Sequence, residues 1–156
     1  MQFLNEIGAD IDNLNTMISK ANDYKAYTIL LLAVICASVI IIIISLCREK
    51  SIVSILIILF ITMDGVGFLI SNKIYRDTCS QIVPAAEEII DNIANNENCS
   101  DIRITPDDKT ISISFTYDNT ENDSKMPVSF VIRKFSTKDK TALMDYVNNS
   151  SVNKNE

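Results

Sequence analysis

The chain has 156 residues, no histidine and a formal net charge of −6 at pH 7. The lack of histidine removes the commonest general base and the commonest metal ligand. An acidic chain is also a poor partner for nucleic acid, whose phosphates require basic surface. About 80 residues follow Tyr75, which is enough for one small domain.

The first 25 residues predict an amphipathic helix. Apolar side chains recur at alternating spacings of three and four, which makes a heptad seam of about three repeats. The residues of this N-terminal seam are Leu4, Ile7, Ile11, Leu14 and Ile18. Two partners are open for it, the chain's own C-terminal domain or a second copy of the chain in a homo-oligomer. A helix lying on a membrane is disfavoured, because its polar face would be basic rather than acidic.

Two apolar segments follow, at 26–47 and 52–71, and only the polar residues 48–51 separate them. About 20 apolar residues suffice to cross a bilayer as one helix, and both segments reach that length. The polar break allows only a tight reversal. The sequence therefore predicts a transmembrane helical hairpin over 26–71, with the lipid bilayer as a partner.

The second apolar segment contains one carboxylate, Asp64. Acids at mid-membrane are costly and are often functional, so Asp64 is the best single candidate for a functional residue. The Ser38 hydroxyl on the first segment and backbone carbonyls are its expected hydrogen-bond partners. The small residues that would let the two helices approach closely are Gly65, Gly67, Ala33 and Ala37. A satisfied interhelical hydrogen bond and a polar pathway in an oligomer both fit this pattern.

The residues at 75–148 predict a small α+β domain. A helix at 80–94 has one apolar face, with Pro84 in its first turn. Strands are predicted at 101–105, 110–117 and 126–135, the middle one alternating strictly between apolar and hydroxyl side chains.

A last helix completes the domain. Ser136 caps this helix with Asp139 three residues on, and residues 149–156 predict a disordered tail. The predicted fold class is an integral membrane α+β protein. It has an N-terminal amphipathic helix, a two-helix transmembrane hairpin and an αβββα domain with a three-stranded antiparallel sheet.

Motifs for catalysis or metal binding are missing from the sequence. Cys79 and Cys99 have no CxxC partner, and no Gly-rich phosphate loop is present. We therefore expect no enzymatic activity, no catalytic residues, no cofactor and no metal. One basic cluster lies near the last helix and consists of Arg133, Lys134, Lys138 and Lys140. It is either a contact for an anion or lipid, or a solvated patch.

The expected function is that of a membrane-tethered, non-catalytic interaction or regulatory protein. It would present its small domain to a protein partner, as immunity factors, assembly factors and regulatory subunits do. The alternative is an oligomerising two-span effector or channel-like protein. In layout, the chain resembles two-span antiviral effectors with a C-terminal sensor domain, although their sensors contain more strands. The αβββα order also matches double-stranded RNA-binding domains, but the acidic charge argues against a nucleic-acid partner.

The charges beside the spans indicate an orientation. Both ends of a hairpin emerge on one side of the membrane. Four basic residues flank the spans on that side, compared with two in the loop on the other side. These residues are Lys20, Lys25, Lys73 and Arg76 on the terminal side and Arg48 and Lys50 in the loop. The positive-inside rule then favours both termini in the cytosol. The expected location is the plasma (inner) membrane.

Overall fold

The computed structural model describes residues 1–46, 51–119 and 124–150. These residues form three helices and a three-stranded antiparallel sheet. In chain order the elements are α1 (Gln2–Leu46), α2 (Ser51–Ala94), β1 (Cys99–Pro106), β2 (Thr110–Asn119), β3 (Ser124–Arg133) and α3 (Thr137–Asn149). The α+β class and the sheet are confirmed. Two predictions fall outside the described residues: the polar break at 48–50 and the disordered tail beyond Ser150. The predicted tail begins too early, because Asn149 is the last residue of α3.

The first two helices are longer than the segments predicted from the sequence. α1 contains 45 residues, so the amphipathic segment and the first apolar segment form one helix. α2 contains 44 residues and joins the second apolar segment to the predicted helix at 80–94. No Pro or Gly lies at 19–26 or 71–80, so no strong breaker ends either helix there. Pro84 therefore lies inside α2 rather than in a first turn, which corrects the prediction.

The chain divides into two compact units, which we call unit 1 and unit 2. Unit 1 combines Met1–Ser19 with Cys79–Glu156, and unit 2 is Lys20–Thr78. Unit 1 is therefore discontinuous in sequence, with all of unit 2 inserted between its two parts. The small domain predicted from the C-terminal half includes the first five turns of α1.

β2 is the central strand of the sheet, with β1 and β3 antiparallel on either side. The inner face of β2 is buried, and its register aligns Ile111 with Ile132 and Ile113 with Phe130. A β-bulge interrupts β1 between Ser100 and Arg103. β3 ends at Arg133, two residues before the predicted end, because Lys134 adopts a φ of 61° that a continuing strand does not accommodate.

The core of unit 1 draws on all three helices and on one face of the sheet. Its most completely buried side chains are Ile7, Leu14, Ile90, Ile93, Ile111, Ile113, Ile132, Leu143 and Val147. Phe3 stacks on Tyr117 with ring centroids 5.9 Å apart, which fixes the start of α1 against β2. Ser136 caps α3 as predicted, and its hydroxyl oxygen accepts the N–H of Asp139 at 3.1 Å.

Unit 2 contains the continuations of α1 and α2. Both helices are long and apolar enough to cross a membrane, by the criteria of length and composition. The hydroxyls of Thr28 and Ser71 lie 3.1 Å apart and join the two helices. A Cβ placed on Gly67 would lie 3.7 Å from Leu31, so ordinary van der Waals contact continues along the pair.

Candidate functional site

Side chains that are at least partly buried in unit 2 recur every three or four residues. On α1 they are Tyr24, Thr28, Leu31, Ile35, Ser38, Ile42 and Ser45. All the remaining residues from 22 to 44 are exposed. On α2 a row of the same spacing runs through Ile57, Ile61, Asp64, Phe68, Ser71, Tyr75 and Thr78, and the neighbouring Gly65, Gly67, Asn72 and Ile74 are also partly buried. We call these two rows the hairpin seam. Its spacing is that of a narrow coiled-coil contact between two helices.

The hairpin seam is more polar than the outer surface of the same helices. Its hydroxyl and carboxyl side chains include Thr28, Ser38, Asp64 and Ser71. The outward faces carry Ile, Leu, Val and Phe, and Phe60 is 68% exposed. A helix pair in water has the opposite arrangement, with apolar residues at the contact and polar residues outside. Helix pairs in lipid commonly place small and polar residues at the contact.

Asp64 and Ser38 are both half-buried in the hairpin seam, but they lie at different levels. The contacts between Thr28 and Ser71 and between Leu31 and Gly67 place Asp64 level with Ile35. Ser38 is three residues further along α1, or about 4.5 Å. Within the described residues, Asp64 makes no hydrogen bond or ion pair, so the expected bond to Ser38 is not formed.

The four small residues of the two spans occupy different environments. Gly67 faces Leu31 across the pair, whereas a Cβ on Gly65 would meet no atom within 4 Å. Ala33 and Ala37 are exposed and lie off the hairpin seam. A Cβ would therefore fit at Gly67 at an ordinary contact distance, and Gly65, Ala33 and Ala37 leave open surface.

The N-terminal seam lies inside unit 1. Ile7, Ile11, Leu14 and Ile18 are each between 1% and 3% exposed, and Leu4 is half-buried. A Cβ on Gly8 would lie 3.7 Å from the ring of Phe130, which places this helix directly over β3. In this structure the domain of the same chain covers the N-terminal seam.

Asn15 contacts the outer edge of β3, which sequence reasoning did not identify. Its side-chain N–H donates to the carbonyl of Val131 at 3.2 Å, and its carbonyl accepts the N–H of Arg133 at 2.7 Å. The amide thus imitates a neighbouring strand for one residue pair. Pro127 lies on the same edge and has no N–H to offer. Both features obstruct pairing of another strand with this edge.

The outer face of the sheet is open. Ser112, Ser114 and Thr116 alternate with the buried residues of β2 and are half-exposed. A shallow depression of about 500 Å³ lies on this face between Arg103 and Ser129. The alternation of hydroxyl and apolar residues in the sequence predicts a wet face, and only the structure shows that no described helix covers it.

The predicted basic cluster divides into two parts. The ammonium group of Lys140 donates to the carbonyls of Asp107 and Asp108, at 2.9 and 3.3 Å, and so holds the β1–β2 turn against α3. Arg133, Lys134 and Lys138 are exposed.

Two groups in unit 1 have shifted pKa values. Burial raises the pKa of the Cys99 thiol to about 11. The Tyr146 hydroxyl donates to the carboxylate of Asp91 at 2.6 Å, and this bond, with burial and the nearby acids, raises its pKa to about 12. Neither shift produces a reactive nucleophile. Among the described residues, no three His, Cys, Asp or Glu side chains cluster as a metal site would require.

These features define a class of protein: two helices long and apolar enough to cross a membrane, and a compact α+β unit assembled from the chain segments that precede and follow unit 2 in sequence. Comparison with family models, with curated proteins and with solved structures found no match.

Proposed function

We propose that this chain is a membrane-anchored, non-catalytic interaction protein, in which α1 and α2 cross a bilayer and unit 1 binds a protein partner at its surface. The inverted polarity of the helix pair is the observation that carries the proposal. Only 6% of the most apolar window of each helix is buried within the protein. Water would not tolerate so large an exposed apolar surface, whereas lipid chains would cover it.

Hydrogen bonds of the hydroxyl groups in the spans are compatible with a lipid environment. Thr28 donates to the carbonyl of Tyr24 at 2.8 Å, and Thr62 donates to the carbonyl of Leu59 at 2.7 Å. Both bonds stay within a single helix. Such local bonds allow hydroxyl side chains to enter hydrocarbon without an unsatisfied donor.

The discontinuity of unit 1 bears on topology. Because Met1–Ser19 packs with residues 79 onward, both parts must lie on one side of any membrane that unit 2 crosses. An even number of crossings satisfies this condition. The basic residues beside the spans favour the cytosolic side of the plasma (inner) membrane for unit 1.

The open sheet face is the surface on which we expect a protein partner to bind. Its half-exposed hydroxyls and the exposed Arg103 can form hydrogen bonds with a polar surface. Such a role needs no catalytic group. It corresponds to immunity factors, assembly factors and regulatory subunits.

Site-specific photo-crosslinking in intact membranes tests this proposal. A crosslinking amino acid at Ser129, which lines the depression, should yield one discrete adduct, and Ser114→Arg in the same chain should remove it. The matched control is the same amino acid at Asn92, an exposed position on α2. Equal adducts from both positions, or an adduct that survives Ser114→Arg, would contradict binding at the sheet face. Extraction of the chain from membranes by alkaline carbonate would contradict the anchor.

A second candidate function is an oligomerising, channel-like effector. It is favoured by Asp64, a half-buried acid that makes no hydrogen bond or ion pair within the described residues. Assembly of several hairpins would supply partners for such a group. In that case overexpression would collapse the membrane potential and Asp64→Asn would prevent the collapse. An unchanged potential in cells that overexpress the chain excludes this alternative.

A further inference from the structure

Four exposed cations lie together at one end of the sheet of unit 1. They are Lys109, Arg133, Lys134 and Lys138, and we call them the basic end. Thr110 is paired with Arg133, and the N–H of Phe135 donates to the carbonyl of Lys109 at 3.1 Å. These contacts place Lys109 beside Lys134. Lys109 replaces Lys140 of the predicted cluster, because the ammonium group of Lys140 is bound to backbone carbonyls.

The charges of the basic end are available for a ligand. Within the described residues, none of the four side chains forms an ion pair. Nearby acids are present but outnumbered: residues 107–109 and 133–140 include five Lys or Arg and three Asp. The carboxylate of Asp139 accepts the hydroxyl of Ser136 at 2.6 Å and keeps its charge, so these ranges carry two net positive charges.

Contacts along α1 establish which end of unit 1 is basic. Phe3 stacks on Tyr117, and Asn15 binds the backbone of Arg133, so β3 approaches its C-terminal end as α1 approaches Ser19. Ser19 is the last residue of α1 in unit 1, about 6 Å beyond Asn15. The basic end is therefore the end of unit 1 at which its α1 segment stops, at Ser19. The opposite end of the sheet carries the acids Glu97 and Asp118 and one cation, Lys125, which is paired with Asp118.

We propose that the basic end binds anionic lipid headgroups and so holds unit 1 against the bilayer surface. This inference rests on the membrane anchor proposed above. Cations within a Debye length of an anionic surface, about 8 Å at physiological ionic strength, are strongly attracted to it. The acidic remainder of unit 1 would be repelled, so the same charge distribution would orient the domain as well as attract it. Contact is predicted to be weaker on a zwitterionic bilayer and in high salt.

The test uses the full chain in lipid nanodiscs, with its native cysteines replaced and a fluorophore on Thr137→Cys, an exposed position in the basic end. A quencher on the lipid headgroup reports contact. We expect several-fold stronger quenching in phosphatidylglycerol-containing discs than in phosphatidylcholine discs, and loss of the difference in high salt. A fluorophore on Glu97→Cys, at the opposite end, should show no such difference.

The decisive variant combines Lys109→Gln, Arg133→Gln, Lys134→Gln and Lys138→Gln and should abolish the lipid dependence. Lys134→Gln with Lys138→Gln alone should already weaken it, whereas the matched control, Arg103→Gln with Lys125→Gln, removes the same number of charges elsewhere on the sheet and should retain it. The inference would be overturned if the labelled chain that keeps all four cations were quenched equally in both lipids. It would also be overturned if inorganic phosphate, at constant ionic strength, fully displaced the basic end from the headgroups. If the protein fails to float with the discs, the anchor itself is wrong. If it floats without any lipid dependence, only this inference fails.

Discussion

At the scale of the residue, single side chains have roles that their sequence positions do not reveal. Asn15 lies among polar residues of an amphipathic helix, where the pattern predicts solvent exposure. In the structure its amide binds the edge of a strand more than a hundred residues away along the chain. The reason is that an Asn amide has a donor and an acceptor in the arrangement of a peptide group. Periodicity identifies the helix face, but it does not identify a contact of this kind.

We expect Asn15→Ala to destabilise unit 1 by about 1 kcal/mol, since two hydrogen bonds are lost at an edge that water reaches. Hydrogen exchange of the Arg133 amide should accelerate, because that N–H loses its 2.7 Å acceptor. The control is Asn13→Ala, an exposed position on the same helix. Equal exchange rates in the two variants would show that the edge contact contributes nothing.

The Cys99 thiol provides a prediction of pH dependence. Burial raises its pKa from 9.0 to about 11, so its alkylation rate should still rise well above pH 9.0. Folding then favours the protonated thiol, and its contribution to stability is present below pH 9.0 and lost as the pH rises toward 11. A single cysteine at the exposed neighbour, Ser100→Cys, is the control for labelling. A rate for Cys99 that levels off near pH 9.0 would contradict the burial.

At the scale of the element, α1 belongs to two different packing environments. Its heptad spacing was visible in the sequence, and so was its apolar span. The spacing shows that one face is buried, but it does not distinguish the chain's own sheet from a second copy of the helix. Of the hairpin seam, sequence reasoning identified only Asp64 and Ser38, because the continuous apolar composition of the spans masks the other positions on the contact face.

Truncation of Leu14 should therefore unfold the domain locally although it lies in the N-terminal segment. Leu14 is 1% exposed, and Leu14→Ala should cost about 2–5 kcal/mol of unfolding free energy. Hydrogen exchange at Ile113 and Leu143 in the detergent-solubilised chain would report this loss. Leu30→Ala on the same helix is the control, since Leu30 is 59% exposed and belongs to unit 2. If the Leu14 variant exchanged as slowly as the control, Leu14 would not contribute to the core of unit 1.

At the scale of the whole molecule, the discontinuous unit 1 constrains topology more strongly than the flanking charges do. Its two parts assemble into one core across an inserted helix pair. The hairpin prediction requires the same arrangement on independent grounds, since two crossings return the chain to its starting side. The charge rule then concerns only which side that is, and it depends on a small difference in basic residues.

Cysteines placed in the two parts of unit 1 should label identically in cells. In a chain without native cysteines, Asn5→Cys and Ser100→Cys are exposed positions on α1 and β1. A membrane-impermeant maleimide should modify neither in intact cells and both after permeabilisation, if unit 1 is cytosolic. Modification of both in intact cells would reverse the orientation and keep the fold. Modification of only one would contradict the shared core.

Local signals account for what the sequence by itself determined. Apolar length identified the two long helices, strict alternation identified β2, and Ser136 with Asp139 identified the start of α3, because each signal arises within a few neighbouring residues. Tertiary structure alone decided the partner of the N-terminal seam and the edge contact of Asn15. It also decided that Lys109, and not Lys140, belongs to the basic end. These outcomes depend on residues that are distant in sequence and meet only when the chain folds, so no local spacing encodes them.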